Sequence, residues 1–304
     1  MNALLWSIVK QAICFRKSAF LVSLPLLLFM SGCGRSVDLS TIRNFAILSN
    51  QAADQFPKII ADFHDSCVRA AQFSSTIEDR IADERDCDKL FDREFETKLN
   101  TLHDVLVSYL QLLAKLATGE TTNFDPQLND LTFAVNSGLT QGRITATPEQ
   151  IKAANGILKF LFRAGTERYQ QKKLKVAIQA TNHDLKIVIE ALKIFVNSDY
   201  ARLLRTEEDV INLYYSKKLA QAKNDPALGL AIDREWREAK TALRIRKDAT
   251  QSYTEILSQI AQAHDQLAQL YAEGEALDSP VVLQILSRYA RTLVPLLEDV
   301  RKAF

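Results

Sequence analysis

Apolar residues recur along most of this chain at intervals of three and four, the spacing that gathers them on one face of an α-helix. The longest such seam begins at Ile232 and passes through Trp236, Ala239, Leu243, Arg246, Thr250, Tyr253, Leu257, Ile260, His264, Leu267 and Tyr271. At 1.5 Å per residue it predicts a helix of about 65 Å. A matching seam runs from Leu174 through Ile178, Thr181, Leu185, Val188 and Leu192 to Phe195, and another from Phe95 through Leu99, Leu102, Leu106, Tyr109 and Leu113 to Leu116. An earlier one carries Ile42, Phe45, Ser49, Phe56, Ile60, Phe63 and Cys67, with a kink expected at Pro57. Seams of this kind need partners. No stretch alternates with period two, so no strand is expected.

Four helix starts are written alike: Asp125-Pro126, Thr147-Pro148, Asp225-Pro226 and Ser279-Pro280. In each pair the first side chain can accept a backbone N–H as N-cap, and proline takes the first helical position, where its missing donor costs nothing. Thr147 has Gln150 three residues on, and Ser75 has Glu78, so both pairs fit the capping-box pattern. Connections are expected near 74–79, 118–125, 138–147, 197–207 and 222–226, short enough to favour antiparallel neighbours. The prediction is an all-α protein, an elongated antiparallel bundle of about seven helices with long coiled-coil-like members. Gly156 and Gly165 are expected to break the segment that starts at Pro148, and Pro295 to kink or end the last helix. No repeat of the usual solenoid families is present. Any division of the body falls best at the glycine-bearing stretch 136–147.

The N-terminus breaks the helical pattern. In FLVSLPLLLFMSGCGRS, Phe20 to Ser36, the apolar run from Ala19 to Met30 is shorter than the roughly 20 residues a membrane-crossing helix needs. Arg16 and Lys17 precede it and Ser31 and Gly32 follow, the order of a secretory signal peptide. Met30-Ser31-Gly32-Cys33 resembles a lipobox, the cleavage and acylation site of bacterial lipoproteins, with Met30 where leucine is usual. The resemblance covers only the first 34 residues. It implies removal of residues 1–32, a lipid on Cys33, a tether over residues 33–37 and a helical body over 38–304. Gly34 stands where an aspartate would be the inner-membrane retention signal, so the implied destination is the periplasmic face of the outer membrane. An ordinary secreted protein with a chance cysteine and a retained anchor are the alternatives.

Composition narrows the functions open to the body. Losing Met1–Gly32 removes Lys10, Arg16 and Lys17 and no acid, leaving a net charge of about −2, which speaks against nucleic-acid binding or a polybasic membrane surface. Of the four cysteines, Cys14 leaves with the signal and Cys33 carries the lipid, so Cys67 and Cys87 remain as a pair in an oxidising compartment. They stand almost symmetrically about the expected turn at 74–79, each about 10 Å along its helix. A Cys67–Cys87 disulfide follows, with two free buried thiols as the alternative.

No residue stands out as catalytic. No histidine sits in H-E-x-x-H or follows a glutamate by three, and there is no G-x-S-x-G, S-x-x-K, P-loop or C-x-x-C. His64 and Cys67 share a face, but a disulfide would consume the thiol; no metal or other cofactor is expected. His264, inside the long seam, reads as a hydrogen-bonded core histidine. Arg246 also falls on that seam and must leave through the bundle surface or meet an acid such as Glu190, Glu207 or Asp209. Lys172-Lys173-Leu174-Lys175 and the rest of Arg244-Ile245-Arg246-Lys247 read as solvated faces, and Tyr214-Tyr215 beside Lys217-Lys218 as a groove rim or a core edge. The leading expectation is a non-enzymatic adaptor, membrane-held through Cys33, that binds another envelope protein. The alternative is a binding or inhibitory module enclosing a small molecule, lipid or peptide between helices, and an envelope hydrolase ranks last.

Overall fold

Pro57 marks the first departure from straight helices. In the structure, a computed structural model, α1 (Ser40–Ala53) ends and α2 (Phe56–Ala71) begins within a two-residue turn, with Pro57 in the first turn of α2 where no donor is needed. The description covers residues 39–91, 93–118, 125–139, 146–166 and 174–304. Along these the chain forms α3 (Ile77–Leu90), α4 (Arg93–Thr118), α5 (Asp125–Phe133), α6 (Pro148–Thr166), α7 (Leu174–Ile194), α8 (Ala201–Gln221), α9 (Pro226–Ala272) and α10 (Pro280–Ala303). Two π-helical turns, Ala134–Gly138 and Phe195–Tyr200, extend α5 and join α7 to α8. Among the described residues there is no strand, and the fold is an all-α antiparallel bundle. Counting α1–α2 and α7–α8 as single bent helices gives eight among the described residues, one more than the spacing suggested.

Three of the four proline-led helix starts show the expected capping bonds. Asp225 accepts the N–H of Leu228 at 3.0 Å, Ser279 that of Val282 at 3.4 Å, and Thr147 and Gln150 exchange bonds of 3.2 and 2.9 Å as a closed capping box. α5 starts at Asp125. Ahead of α3 it is Thr76, not Ser75, whose hydroxyl accepts the N–H of Asp79. Just past the end of α9 stands Gly274, whose φ of 95° is open to glycine at little cost, and the Glu275 N–H returns to the Leu270 carbonyl.

Two expected interruptions do not occur, and a third does not end its helix. α6 runs through Gly156 and Gly165. Gly156 serves packing instead, because a Cβ there would stand 2.0 Å from Asp184 Oδ2 on α7. Pro295 lies inside α10. The connection expected at 197–207 is the Phe195–Tyr200 π turn running directly into α8. Leu192, Val196, Tyr200 and Leu204, all fully buried, follow in steps of four. Such steps drift around a straight α-helix, and the wider π turn keeps them facing inward. The α7–α8 run and α9 therefore form one long hairpin about the turn at 222–225.

One core binds the elements. The seam residues of α4 from Leu99 to Leu116, of α7 from Leu174 to Leu192 and of α9 from Leu243 to Tyr271 are all buried, as are Ile42, Phe45, Phe56, Ile60 and Phe63. Val37–Phe304 forms a single compact unit around them. A division near 136–147 would fall across residues 140–145, outside the described residues. No described helix is long and apolar enough to cross a membrane.

Candidate functional site

Cys33 and the lipobox lie outside the described residues. The other two cysteines are brought together: the Cys67 and Cys87 sulfurs are 2.00 Å apart and their Cα atoms 5.7 Å, disulfide geometry across the α2–α3 hairpin. The link matters to α3 because Cys87 is the sole buried residue of that helix, while Ile77, Ile81 and Leu90 stay exposed.

Three of the four histidines take bonded places, and His183 is exposed. His264 is buried between α4 and α7: its Nε2 accepts the Tyr109 hydroxyl at 2.5 Å, and its Nδ1–H donates to Asn182 Oδ1 at 3.0 Å. Thr181 approaches the Tyr109 oxygen at 2.8 Å, and Asn182 in turn donates to Asp265, which pairs with Lys186. Burial pushes the His264 pKa down to about 3, Asp265 opposing the shift and Lys186 adding to it. His103, also buried, donates to the Ala53 carbonyl at 2.8 Å, and His64 lies 2.8 Å from Asp88. Among the described residues no group of three or more His, Cys, Asp or Glu side chains is placed to hold a metal.

A buried charge cluster joins α2, α8 and α9. Glu207, 1% exposed, accepts from Arg246 Nη2 at 2.7 Å, Arg69 Nε at 3.1 Å and Ser66 Oγ at 2.6 Å. Arg69 also donates to Asp62 at 2.8 Å, and the Tyr200 hydroxyl donates to the same carboxylate. Burial, with Asp62 beside it, raises the Tyr200 pKa far above its ordinary value. Two carboxylates thus face two guanidinium groups, and the buried charges cancel. The acid that Arg246 requires is Glu207. Lys247 pairs with Glu208. Of the lysine cluster at 172–175, residues 172 and 173 lie outside the described residues, and Lys175 donates to the Glu275 carbonyl.

Next to this cluster opens an apolar recess of about 680 Å³. Its walls carry the rings of Phe63, Phe91, Phe95 and Phe195, backed by Leu99, Leu102, Leu139, Ala191, Ile194 and Leu203. Phe63 is the hinge of the arrangement: it lies 6.0 Å from Phe91, 5.5 Å from Phe95 and 4.8 Å from Tyr200, ring centre to ring centre. Both π turns reach the recess, one through Leu139 at its C-terminal end, the other through Phe195 and Asp199. A π turn commonly marks a functional place because it shifts the register of the side chains that follow. The rim is polar: Thr147, Gln150, Asp199, Arg202 and Thr206. No sequence seam announces the recess, since its lining comes from five helices, the Phe195–Tyr200 turn and the connecting residues Phe91, Leu139, Ala146 and Thr147.

The distal hairpin differs again. From Pro226 to Ala242, α9 buries no residue. Its specific contacts run to α8, where Trp236 donates to Asn212 at 3.1 Å and stacks near Tyr215 at 6.3 Å. Phe73, just past α2, meets Tyr214 and Tyr215 at 5.1 and 5.8 Å, so the tyrosine pair forms a core edge, and Tyr214 with Lys217 and Lys218 also rims a small groove of about 260 Å³. Leu213, Leu228 and Leu230 are 56%, 50% and 73% exposed.

Compared with known proteins, this chain matches no family model, no curated protein and no solved structure.

Proposed function

We propose that this protein is a non-enzymatic helical adaptor, held by a lipid on Cys33 at the periplasmic face of the outer membrane, that presents the distal α8–α9 hairpin to another envelope protein. The observation carrying the reading is the contrast within α9: its distal stretch buries no residue fully, only edging the core through Ile232, Trp236 and Ala239, yet keeps Leu228 and Leu230 in solvent. Exposed leucines on an ordered helix are a recurrent way to seat a partner. The disulfide and the buried charge cluster stiffen the base from which the hairpin extends, so little order is lost on binding. The His264 chain supports no reaction on this reading, because Tyr109 and His264 are buried and already bonded to one another.

Photo-crosslinking in intact envelopes, with the crosslinker at position 228 or 230, tests the adaptor. One reproducible protein partner is expected, lost when the other leucine becomes glutamate (Leu230→Glu with the crosslinker at 228, Leu228→Glu with it at 230); crosslinks that are scattered or unchanged in those variants would overturn it. Cys33→Ala should move the chain out of the membrane fraction, and persistent membrane association would count against the lipid. A second reading, a module that holds a small molecule between its helices, is favoured by the phenylalanine-lined recess.

A further inference from the structure

Resting on that second reading, we infer that the recess takes an uncharged, largely apolar molecule, with at most a hydroxyl or carbonyl group at the end that faces the rim. The recess of about 680 Å³ opens to solvent beside a well-filled core and is lined mainly by apolar side chains, the kind of concave surface that small molecules take. Its origin is local. The Phe195–Tyr200 π turn offsets α8 from α7 and leaves Phe195 and Leu203 half-buried on the recess side, while Phe91 and Phe95 stand half-buried opposite. The volume suits a molecule of drug-like size, within the roughly 300–1,000 Å³ common for such sites.

Charge selects the class of ligand. The described lining contains one acid and one base, Asp199 and Arg202, and they pair with each other at 2.9 Å. Thr147 and Gln150 are occupied with each other in the capping box, and the Thr206 hydroxyl donates to the Arg202 carbonyl. An anionic ligand would lie against the negative faces of the phenylalanine rings and find only Arg202, exposed and already paired with Asp199; a cationic one would be drawn to the rings yet must shed its water where the one carboxylate is already paired. A neutral apolar molecule meets none of these costs. It gains ring contacts along its length, and a single polar end can share the rim with water.

The test uses the self-contained unit Val37–Phe304, free of detergent, and two fluorescent probes with the same ring system: neutral N-phenylnaphthylamine and its anionic analogue anilinonaphthalenesulfonate. Saturable one-to-one binding of the neutral probe is expected, with the anionic probe at least about tenfold weaker. Ala191→Phe, which fills the recess from α7, should abolish the signal; Ala146→Trp, placed where the chain enters α6, does the same from the other side and guards against a folding defect in the first variant. Asp199→Asn frees Arg202 and should strengthen the anionic probe severalfold while leaving the neutral one unchanged. Absence of saturable neutral binding, or binding that survives both filling variants, overturns the site and the second reading together. Anionic binding as tight as neutral overturns the ligand class alone.

Discussion

From Leu243 to Tyr271, α9 buries thirteen residues; from Pro226 to Ala242 it buries none, although apolar residues recur in threes and fours through both halves. The difference lies in what flanks the seam. In the proximal half Ala249, Ile256, Ala263 and Ala268 widen the apolar stripe, and α7, α10 and α1 close around it. In the distal half the flanking positions are Arg234, Glu235, Arg237, Glu238 and Lys240, and Trp236 leans on α8. Spacing therefore specifies a helix, whereas the width of the apolar stripe tells how many neighbours it will have.

The charge cluster lies where the two halves meet, and breaking it should have the largest effect. Glu207→Ala leaves Arg246 and Arg69 facing each other with Asp62 as the one carboxylate between them. The loss of stability in urea unfolding is expected at about 3–5 kcal/mol, the range for removing one partner from a buried ion pair. A loss below about 1 kcal/mol would mean that the distal hairpin is held by its aromatic contacts and not by charge.

Acid should strike the proximal half next. His264 titrates near 3 in the fold because burial disfavours its charged form, and near 6.5 when unfolded. Between those values the unfolded chain binds the proton first, so stability falls as the pH drops from about 6.5 towards 3, by on the order of 4 kcal/mol at the acid end. Above pH 6.5 the residue is neutral in both states and contributes no slope. Denaturation midpoints measured across this window should flatten in His264→Leu relative to the parent chain. Equal slopes in the two proteins would place the acid sensitivity elsewhere.

A third way of fastening an element appears at α3, which buries neither a seam nor an ion pair. It hangs on α2 through the Cys67–Cys87 link, and replacing both cysteines by serine should cost about 3 kcal/mol for a loop of this length. Hydrogen exchange distinguishes the location: the amides of Ile77–Leu90 should lose protection first, while those of α4 and α7 keep theirs. Uniform loss across the bundle would mean that α3 contributes to the global core after all.

Much of this architecture was legible in the residues. The α4, α7 and α9 seams, the proline-led caps, the cysteine pairing and the need of Arg246 for an acid all follow from local spacing and from the cost of burying a charge. The Phe195–Tyr200 turn was not, because Asn197-Ser198-Asp199 reads as a loop-forming triplet whose side chains compete with the helix backbone. Only the run of fours at Leu192, Val196, Tyr200 and Leu204 hinted at its continuation. The recess was hidden for a related reason: Phe63, Phe95 and Phe195 each belong to a periodic seam, and nothing in one helix reveals that those rings line a space together. Thr76 displaced Ser75 as cap by a single residue, the scale at which neighbouring hydroxyls compete equally well.

The smallest effect is expected at the tip, and it is the sharpest test of the comparison. Leu230 is 73% exposed, so Leu230→Ala removes little buried surface and should change stability by no more than about 0.5 kcal/mol. Leu257, at the same kind of seam position but fully buried, should cost about 2–5 kcal/mol when truncated in the same way. A leucine that stability does not need must be kept for another reason, or for none. Pairing the Leu230→Ala unfolding curve with crosslink yield at position 228 separates the two: unchanged stability with a reduced yield assigns the leucine to a partner, whereas unchanged stability with unchanged yield makes it an ordinary exposed residue.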